Sequence, residues 1–234
     1  MYNGCCKSVV RMPCQYGWML LFAGFALAQN VDKPARMGPS LLVYPRAGAP
    51  VSFDQIEERS RKEKGGSTDK VVVRSKVFRD SSGRVRIEEG PNTLLLDPIA
   101  GSYAVLSSQE QIAYRTPWPW YTEGQLGIGI GIGPGTEPSS REMTATTQDL
   151  GERWIEEIKF TGKRTVISAK GEPQPARTFE EWRSTELHLI GLGLSSSPQE
   201  TNTARIENIR REEPDGNLFT IPPDYEILEL PRPQ

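Results

Sequence analysis

The segment 71–90 most constrains what this chain can fold into, because its side chains alternate in character as they do along a β-strand. In its second arm, Val85 and Ile87 share one face while charged residues occupy the other, and the valines of the first arm alternate in the same way. Between the arms, residues 79–83 contain the Asp, Ser and Gly that favour a tight turn. The segment therefore predicts a β-hairpin with one face in a core and one in water.

Further short apolar stretches with turn residues between them predict that the hairpin belongs to a larger meander. They occupy residues 93–97, 102–106, 111–114, 158–168, 179–184, 186–194, 203–211 and 225–228. We expect a mainly β fold, a single curved antiparallel sheet resembling half of a barrel. No boundary for a second core is evident, so residues 51–230 are predicted to form one domain.

One short helix is expected before the first strand of this sheet. Residues 52–55, Ser-Phe-Asp-Gln, match a capping box, and the following segment 56–64 is rich in Glu, Arg and Lys. Two glycines at 65 and 66 would end the helix.

A long irregular loop is predicted at residues 116–142, where Pro-rich aromatic sequence is followed by a Gly-Ile repeat at 127–133. Trp118, Trp120 and Tyr121 lie together in this insertion and are the candidate ligand-binding residues, since aromatic rings can cover an acyl chain. The alternative is that they fix the loop to the core. The repeat is not a dinucleotide fingerprint, because no helix is predicted after it.

The first 28 residues have the features of a secretory signal peptide. Lys7 and Arg11 precede the apolar run 18–28, which ends in Ala-Leu-Ala. The run is shorter than the roughly 20 residues of a membrane span, so no stable span is expected after cleavage; an uncleaved anchor is the alternative. Residues 29–50 are predicted to be a flexible leader, Met12 is an alternative start, and the location is periplasmic or secreted in a bacterium.

Composition and residue counts exclude several chemistries. A formal net charge of −2 with scattered basic residues gives no reason to expect nucleic acid binding. All three cysteines precede residue 15, and His188 is the only histidine, so we expect no metal, no cofactor and no catalytic nucleophile pair in the mature chain. His188 is expected on the solvent face of a strand. The Ser67-x-x-Lys70 spacing lacks the partner motifs of penicillin-binding enzymes, and adjacent Glu pairs fit a solvated face.

Several motifs in order resemble a group of uncharacterised exported bacterial proteins. They are FRDSSGRVR at 78–86, LDPIAGSY at 96–103, EWRSTEL at 181–187, ENIRR at 207–211 and EPDGNLFTIPPDY at 213–225. More remotely, the strand order and the Leu-Phe-x-Ile-Pro-x-Asp-Tyr ending are similar to periplasmic lipoprotein carriers and the lipid-sensing regulator of envelope stress. That resemblance implies a curved half-barrel whose concave face holds acyl chains, and it implies no catalytic residues. The nearer group has Ile-x-Gly where this chain has Ile155-Glu156-Glu157, so Glu157 stands in place of the glycine of that turn.

These observations together favour a non-catalytic periplasmic protein that binds an apolar or amphipathic ligand on a concave sheet. Its candidate partners are a lipid or lipoprotein, or an envelope protein. A protein-interaction or envelope-sensing module that pairs a partner strand at a sheet edge is the second hypothesis. A hydrolase is the third and least supported.

Overall fold

The computed structural model describes residues 43, 45–63, 65–117 and 143–231. Within these residues the chain forms twelve β-strands and one 3-10 helix, Gly216–Phe219. The strands are β1 (Val51–Lys62), β2 (Thr68–Arg79), β3 (Val85–Glu89), β4 (Asn92–Asp97), β5 (Ser102–Ser107), β6 (Ile112–Pro117), β7 (Met143–Ile155), β8 (Ile158–Ala169), β9 (Arg177–Ser184), β10 (Leu189–Ser196), β11 (Glu200–Arg210) and β12 (Glu226–Glu229).

All twelve strands belong to one sheet, in the order β12-β6-β5-β4-β3-β2-β1-β11-β10-β9-β8-β7. Neighbours are antiparallel except for β12, which pairs in parallel with β6. Two meanders, β1 to β6 and β7 to β11, are joined where β1 pairs with β11. The expected single antiparallel sheet and the hairpin at 71–90 are confirmed.

The predicted helix before the first strand is wrong. Residues 51–62 form β1, which pairs along its whole length with β2 and along most of it with β11. Val51, Phe53 and Gln55 are buried on one face of β1, which is the alternation of a strand. The capping box indicates only local preference, and hydrogen bonding to two neighbouring strands overrides it. No helix in the described part of the chain is long and apolar enough to span a membrane.

The longest strand, β7, was not predicted, because its Thr-rich sequence leaves almost every side chain exposed and shows no apolar alternation. It pairs with β8 through a two-residue turn formed by Glu156 and Glu157, whose φ angles are 44° and 65°. Two positive φ angles are typical of the hairpin turn whose twist matches that of its strands. The turn therefore forms although Glu157, at φ 65°, replaces the expected glycine.

The inner face of the sheet is defined by the residues that line its main core. In β1 to β3 the register brings together Val51, Phe53, Val77, Val85 and Ile87, all 3% exposed or less. The same cluster includes buried residues from the other meander: Ile158, Phe160, Trp182, Leu189, Ile190, Ala204 and Ile206. Both meanders thus contribute to one core.

Close approach of a ring to the backbone requires glycine at one point of this core. The Phe160 ring lies against Gly191, where a Cβ atom would come within 2.5 Å of it. Gly191 occupies a β-bulge in β10, so a close contact and a break in register coincide.

The opposite, outer face of β4 to β6 has a smaller core of its own. Leu95, Ala104, Leu106 and Ala113 are buried there. The segment after the 3-10 helix covers them with Ile221 and Tyr225. The C-terminal part of the chain therefore seals the outer face of these strands.

Arg79 shows that the sheet bends toward its inner face. In a flat sheet β2 and β10 would lie about 14 Å apart, three strand spacings. Yet Arg79 of β2 donates from Nη2 to the carbonyl of Leu187, just before β10, at 2.6 Å, and from Nε to the carbonyl of Ala49 at 2.8 Å. Its side chain is fully buried, and burial, aided by the charge of Arg46, lowers its pKa to about 10. It therefore remains protonated at neutral pH.

Glu156 gives independent evidence of the bend. The β7–β8 turn and β11 are also three strands apart in the sheet order. The Glu156 carboxylate nevertheless accepts the backbone N–H groups of Asn208 at 2.8 Å and Ile209 at 2.6 Å. The predicted curvature is thereby confirmed.

The end of the segment 29–50 contacts the sheet. Val43 is fully buried and forms a bridge with Leu189. The Gly48 N–H donates to the carbonyl of Ser81 at 2.8 Å. Gly83, at φ 86°, leaves room for the backbone at Arg46 and 47, which a Cβ would meet at 2.8 Å.

We expect Arg79→Met to lower the free energy of unfolding by about 3 kcal/mol, because it leaves several buried carbonyl groups without a donor. The matched control, Arg59→Met, removes an exposed arginine with one ion pair and should cost less than about 1 kcal/mol. Urea unfolding followed by tryptophan fluorescence measures both. Equal losses in the two variants would contradict the proposed role of Arg79 in the bend.

Candidate functional site

The three sequence-predicted site residues, Trp118, Trp120 and Tyr121, lie outside the described residues. They follow directly after β6, which ends at Pro117. The Gly-Ile repeat at 127–133 lies outside as well. The site is therefore built from the strands that lead to this segment.

The inner face of β4 to β6 carries a row of apolar side chains that we call the inner row. It consists of Leu94, Tyr103, Val105, Ile112 and Tyr114, all half-buried. Register places Leu94, Val105 and Tyr114 side by side across the three strands. Direct neighbours of this kind lie about 5 Å apart and form a continuous surface.

The inner row differs from the two cores. Leu94 and Tyr103 pack against the main core, whereas Val105, Ile112 and Tyr114 belong to neither cluster. The same strands bury their outer-face side chains beneath the C-terminal segment. The row thus continues the inner apolar surface beyond the core.

A polar group stands at the end of this row. The pKa of the Tyr114 hydroxyl is raised, first by burial and then by the charge and hydrogen bond of Glu110. This shift favours the neutral phenol, which keeps its hydrogen. An apolar surface with the Tyr114 hydroxyl at its border can hold the chain of an amphipathic molecule.

A second concavity, the bulge cavity, has a volume of about 510 Å³ and lies where β11 bulges against β1. The bulge falls between the Ser52–Arg210 and Asp54–Glu207 pairs, with Asn208 at φ 58°. The lining residues are Ser52, Phe53, Asp54, Lys76, Phe78, Asn208, Ile209 and Arg210.

The lining of the bulge cavity is polar and apolar in about equal parts, and it includes three charged side chains, Asp54, Lys76 and Arg210. Asp54 accepts a hydrogen bond from the Asn208 side chain at 2.7 Å. Lys76 and Arg210 form no salt bridge within the described part of the chain. Because these charged groups would lose their hydration against a hydrocarbon, the cavity is a poor site for a long acyl chain.

Residues considered for catalysis do not assemble into a site. Ser67 is exposed in the turn between β1 and β2, and no helix begins there. His188 lies in the turn before β10 at φ 48°, half-buried, and its carbonyl is 3.5 Å from Arg79 Nη1. The expected strand position for His188 is wrong. No group of three potential metal ligands is found among the described residues.

The adjacent glutamates are not simply a solvated face. Glu156 binds the backbone of β11, as shown above. Glu180 accepts a hydrogen bond from Trp182 Nε1 at 2.9 Å and pairs with Arg164 at 2.8 Å. The Trp182 hydrogen bond is the largest cause that lowers the pKa of Glu180, against a smaller opposing effect of burial. The residues that contact Glu156 and Glu180 lie far from them in sequence or depend on strand register, so the sequence alone does not predict these contacts.

Comparison with known proteins finds remote matches among solved structures. No protein-family model matches the chain, and no curated protein matches its sequence. Among solved structures, MucB is 13% identical with a TM-score of 0.38, and the match covers 79% of this chain and 61% of MucB. The chain therefore spans less than two-thirds of MucB.

Two further structures show the same general relation. The lipoprotein LppX of Mycobacterium tuberculosis is 13% identical with a TM-score of 0.29, over 69% of this chain and 87% of LppX. A LolA superfamily protein from Nitrosomonas europaea is 11% identical with a TM-score of 0.26, over 76% and 92%. These are remote matches to the kind of protein that the sequence resembles, and no functional residue is transferred at these identities.

Replacing the two turn glutamates separately should have opposite effects. Glu157→Gly should raise the free energy of unfolding by about 0.5–1 kcal/mol, because a side chain at positive φ costs about 1–2 kcal/mol and glycine loses part of that gain in backbone entropy. Glu156→Gly relieves the same strain but removes both hydrogen bonds to β11, so it should be less stable than Glu157→Gly by about 1 kcal/mol or more.

Urea unfolding of the two variants measures this difference. Amide exchange at Asn208 and Ile209 should quicken only in Glu156→Gly. Equal stabilities and unchanged exchange would show that the carboxylate contact does not hold the bulge.

Proposed function

We propose that this protein binds an apolar or amphipathic ligand, a lipid or the acyl part of a lipoprotein, without catalysis. The observation that carries the proposal is the inner row, an apolar surface on the inner side of a bent sheet. The outer side of the same strands is sealed by the chain itself. A ligand on the inner row would cover the inner face of these strands, as the C-terminal segment covers their outer face.

Apolar burial supplies the affinity in this proposal. Each square ångström of apolar surface removed from water contributes about 25 cal/mol. Five half-buried side chains in one row offer an elongated surface of the kind that a hydrocarbon chain can cover. The Tyr114 hydroxyl lies at the border, where a polar head group can meet it.

The inner row is the better candidate for the acyl chain than the bulge cavity. The cavity presents an aspartate and two cations, and desolvating them against a hydrocarbon would be costly. The row presents no charged side chain of its own.

Trp118, Trp120 and Tyr121 complete the proposed site. They follow β6, which carries Ile112 and Tyr114 of the inner row. Aromatic side chains cover large apolar areas, so three of them next to the row in sequence could cover a bound chain.

The same proposal places the protein in a bacterial periplasm. Residues 1–28 would direct export and be removed with all three cysteines. Detection of the cleaved amino terminus in a periplasmic extract by mass spectrometry would test the location.

Delipidated mature protein should bind a fluorescent fatty acid saturably at micromolar concentration. Val105→Asp places a charge in the middle of the row and should weaken binding at least tenfold, about 1.4 kcal/mol. The matched control is Ile99→Asp, which changes a side chain 72% exposed in the β4–β5 turn and should leave affinity unchanged.

Urea unfolding of both variants separates loss of binding from loss of fold, and Ile112→Asp provides a second test of the row. Absence of saturable binding in the unmodified protein would overturn the proposed function. Equal affinity in Val105→Asp and Ile99→Asp would place the ligand elsewhere.

The aromatic residues have a separate test. The double variant Trp118→Ala and Trp120→Ala should weaken fatty-acid binding about tenfold or more, through lost apolar cover, with little change in stability. Retained affinity together with a lower free energy of unfolding would instead support the alternative, that the rings fix their segment to the core.

A further inference from the structure

The β1–β2 hairpin extends beyond its neighbour β3. Register pairs β3 only with residues 76–79 of β2, although β2 begins at Thr68. Residues 68–75 therefore have β1 on one side and no strand on the other within the described part of the chain. We call this side of β2 the free edge.

The backbone of the free edge points outward at alternate residues. The Lys62 N–H donates to the carbonyl of Gln199 near β11, so Lys62 directs its backbone groups away from β2. The β1–β2 register has no bulge, and Lys62 pairs with Thr68. Because antiparallel pairs alternate, the even-numbered residues of β2 direct N–H and C=O away from β1. At the free edge these residues are Thr68, Lys70, Val72 and Arg74.

Side chains make this edge suitable for another strand. Val71 and Val72 are 38% and 47% exposed, and Val73 is half-buried. Three consecutive valines have high β propensity, and no proline interrupts the edge. An exposed edge of this kind is a template for strand addition.

The basic side chains of the edge lie on the outer face, and its one acidic residue, Asp69, lies on the inner face. Lys70, Val72 and Arg74 point to the outer face, and Val71 and Val73 to the inner face, together with the core residues of β2. Lys70 pairs with Glu58 at 3.0 Å, and Arg74 forms no salt bridge within the described residues. The outer side of the edge is therefore basic.

We propose that the free edge binds an extended segment of a partner protein as an additional strand. The segment carries acidic side chains on the outer face, opposite Lys70 and Arg74, and apolar side chains on the inner face, beside Val71 and Val73. Main-chain hydrogen bonds supply the pairing, and the alternation of acidic and apolar residues supplies the selectivity.

Charge disfavours a second copy of this chain as the occupant. When two copies pair antiparallel to form one continuous sheet, the inner faces of both copies lie on the same side of that sheet. The register centred on Val72 then sets Lys70 against Arg74, and the register centred on Val73 directs Lys70 to Lys76, whose edge is already paired with Glu88 of β3. The register centred on Val71 does not bring any two residues of opposite charge together. Like charges directly opposite destabilise a strand pair.

The probe is a blocked nine-residue peptide of alternating Val and Glu, with a Val and Lys peptide as the matched control. Binding should slow amide hydrogen exchange, measured by NMR, at Thr68, Lys70, Val72 and Arg74. It should not change the exchange rates of the odd-numbered residues, whose amides already pair with β1. The Lys peptide should bind at least tenfold more weakly.

Variants test the backbone and the charge separately. Val72→Pro removes an outward N–H, so it should reduce peptide binding at least tenfold while the urea midpoint changes little. Val71→Pro breaks the β1–β2 ladder and should lower the midpoint. Arg74→Glu, which leaves the backbone intact, should reverse the preference between the two peptides.

Three results would overturn the proposal: unchanged exchange at the four outward amides, equal binding of both peptides, or no effect of Arg74→Glu. Dimerisation that Val72→Pro abolishes, without peptide binding, would identify a second copy as the occupant instead. The fatty-acid assay of the inner row is independent of all these results.

Discussion

The bend of the sheet depends on one buried cation. Arg79 carries its charge into the interior and donates to backbone carbonyls of the segment before β1 and of the turn before β10. Burying a guanidinium is costly unless its donors are satisfied, so the residues that supply those carbonyls must stay close to β2. Two parts of the chain more than 100 residues apart are thereby held on the inner face. Val43 and Leu189, which form a bridge beside this contact, add apolar burial to the same junction.

The two faces of the bent sheet are covered in different ways. Toward the bend, residues from both meanders meet and fill the space with the main core. Away from it, only Leu94, Leu96 and Tyr103 of β4 and β5 reach the main core, and the outer faces of β4 to β6 are covered separately. The C-terminal segment covers the outer face, aided by Arg86, which donates to the carbonyl of Leu218 at 2.9 Å, and by Arg84, stacked on Phe219 at 5.0 Å. The inner row is what this division leaves half-buried.

The sequence predicts those parts of the structure that depend on neighbouring residues. The hairpin of β2 and β3 was recognisable because alternation and turn chemistry both lie within twenty residues. β1 was misassigned because its charged sequence satisfies a helical pattern locally, whereas its strand state comes from β2 and β11. The inner row was missed for a related reason: β4 to β6 are apolar on both faces, and only the register across Leu94, Val105 and Tyr114 distinguishes one from the other. The contact of Glu156 with β11 likewise requires knowledge of the bend.

One turn separates the two surfaces that are proposed to bind other molecules. β3 ends at Glu89, and the chain reverses through Gly90, at φ 57°, and Pro91, which has no N–H to continue a ladder. A longer β3 would pair with residues 68–75 of β2 and remove the free edge. Because β3 is short, β4 to β6 are short as well, and the inner row stays beside the core while the β1–β2 hairpin projects past it. The apolar row and the strand edge therefore arise from the same early reversal of the chain, yet they use different groups, side chains in one case and the backbone in the other.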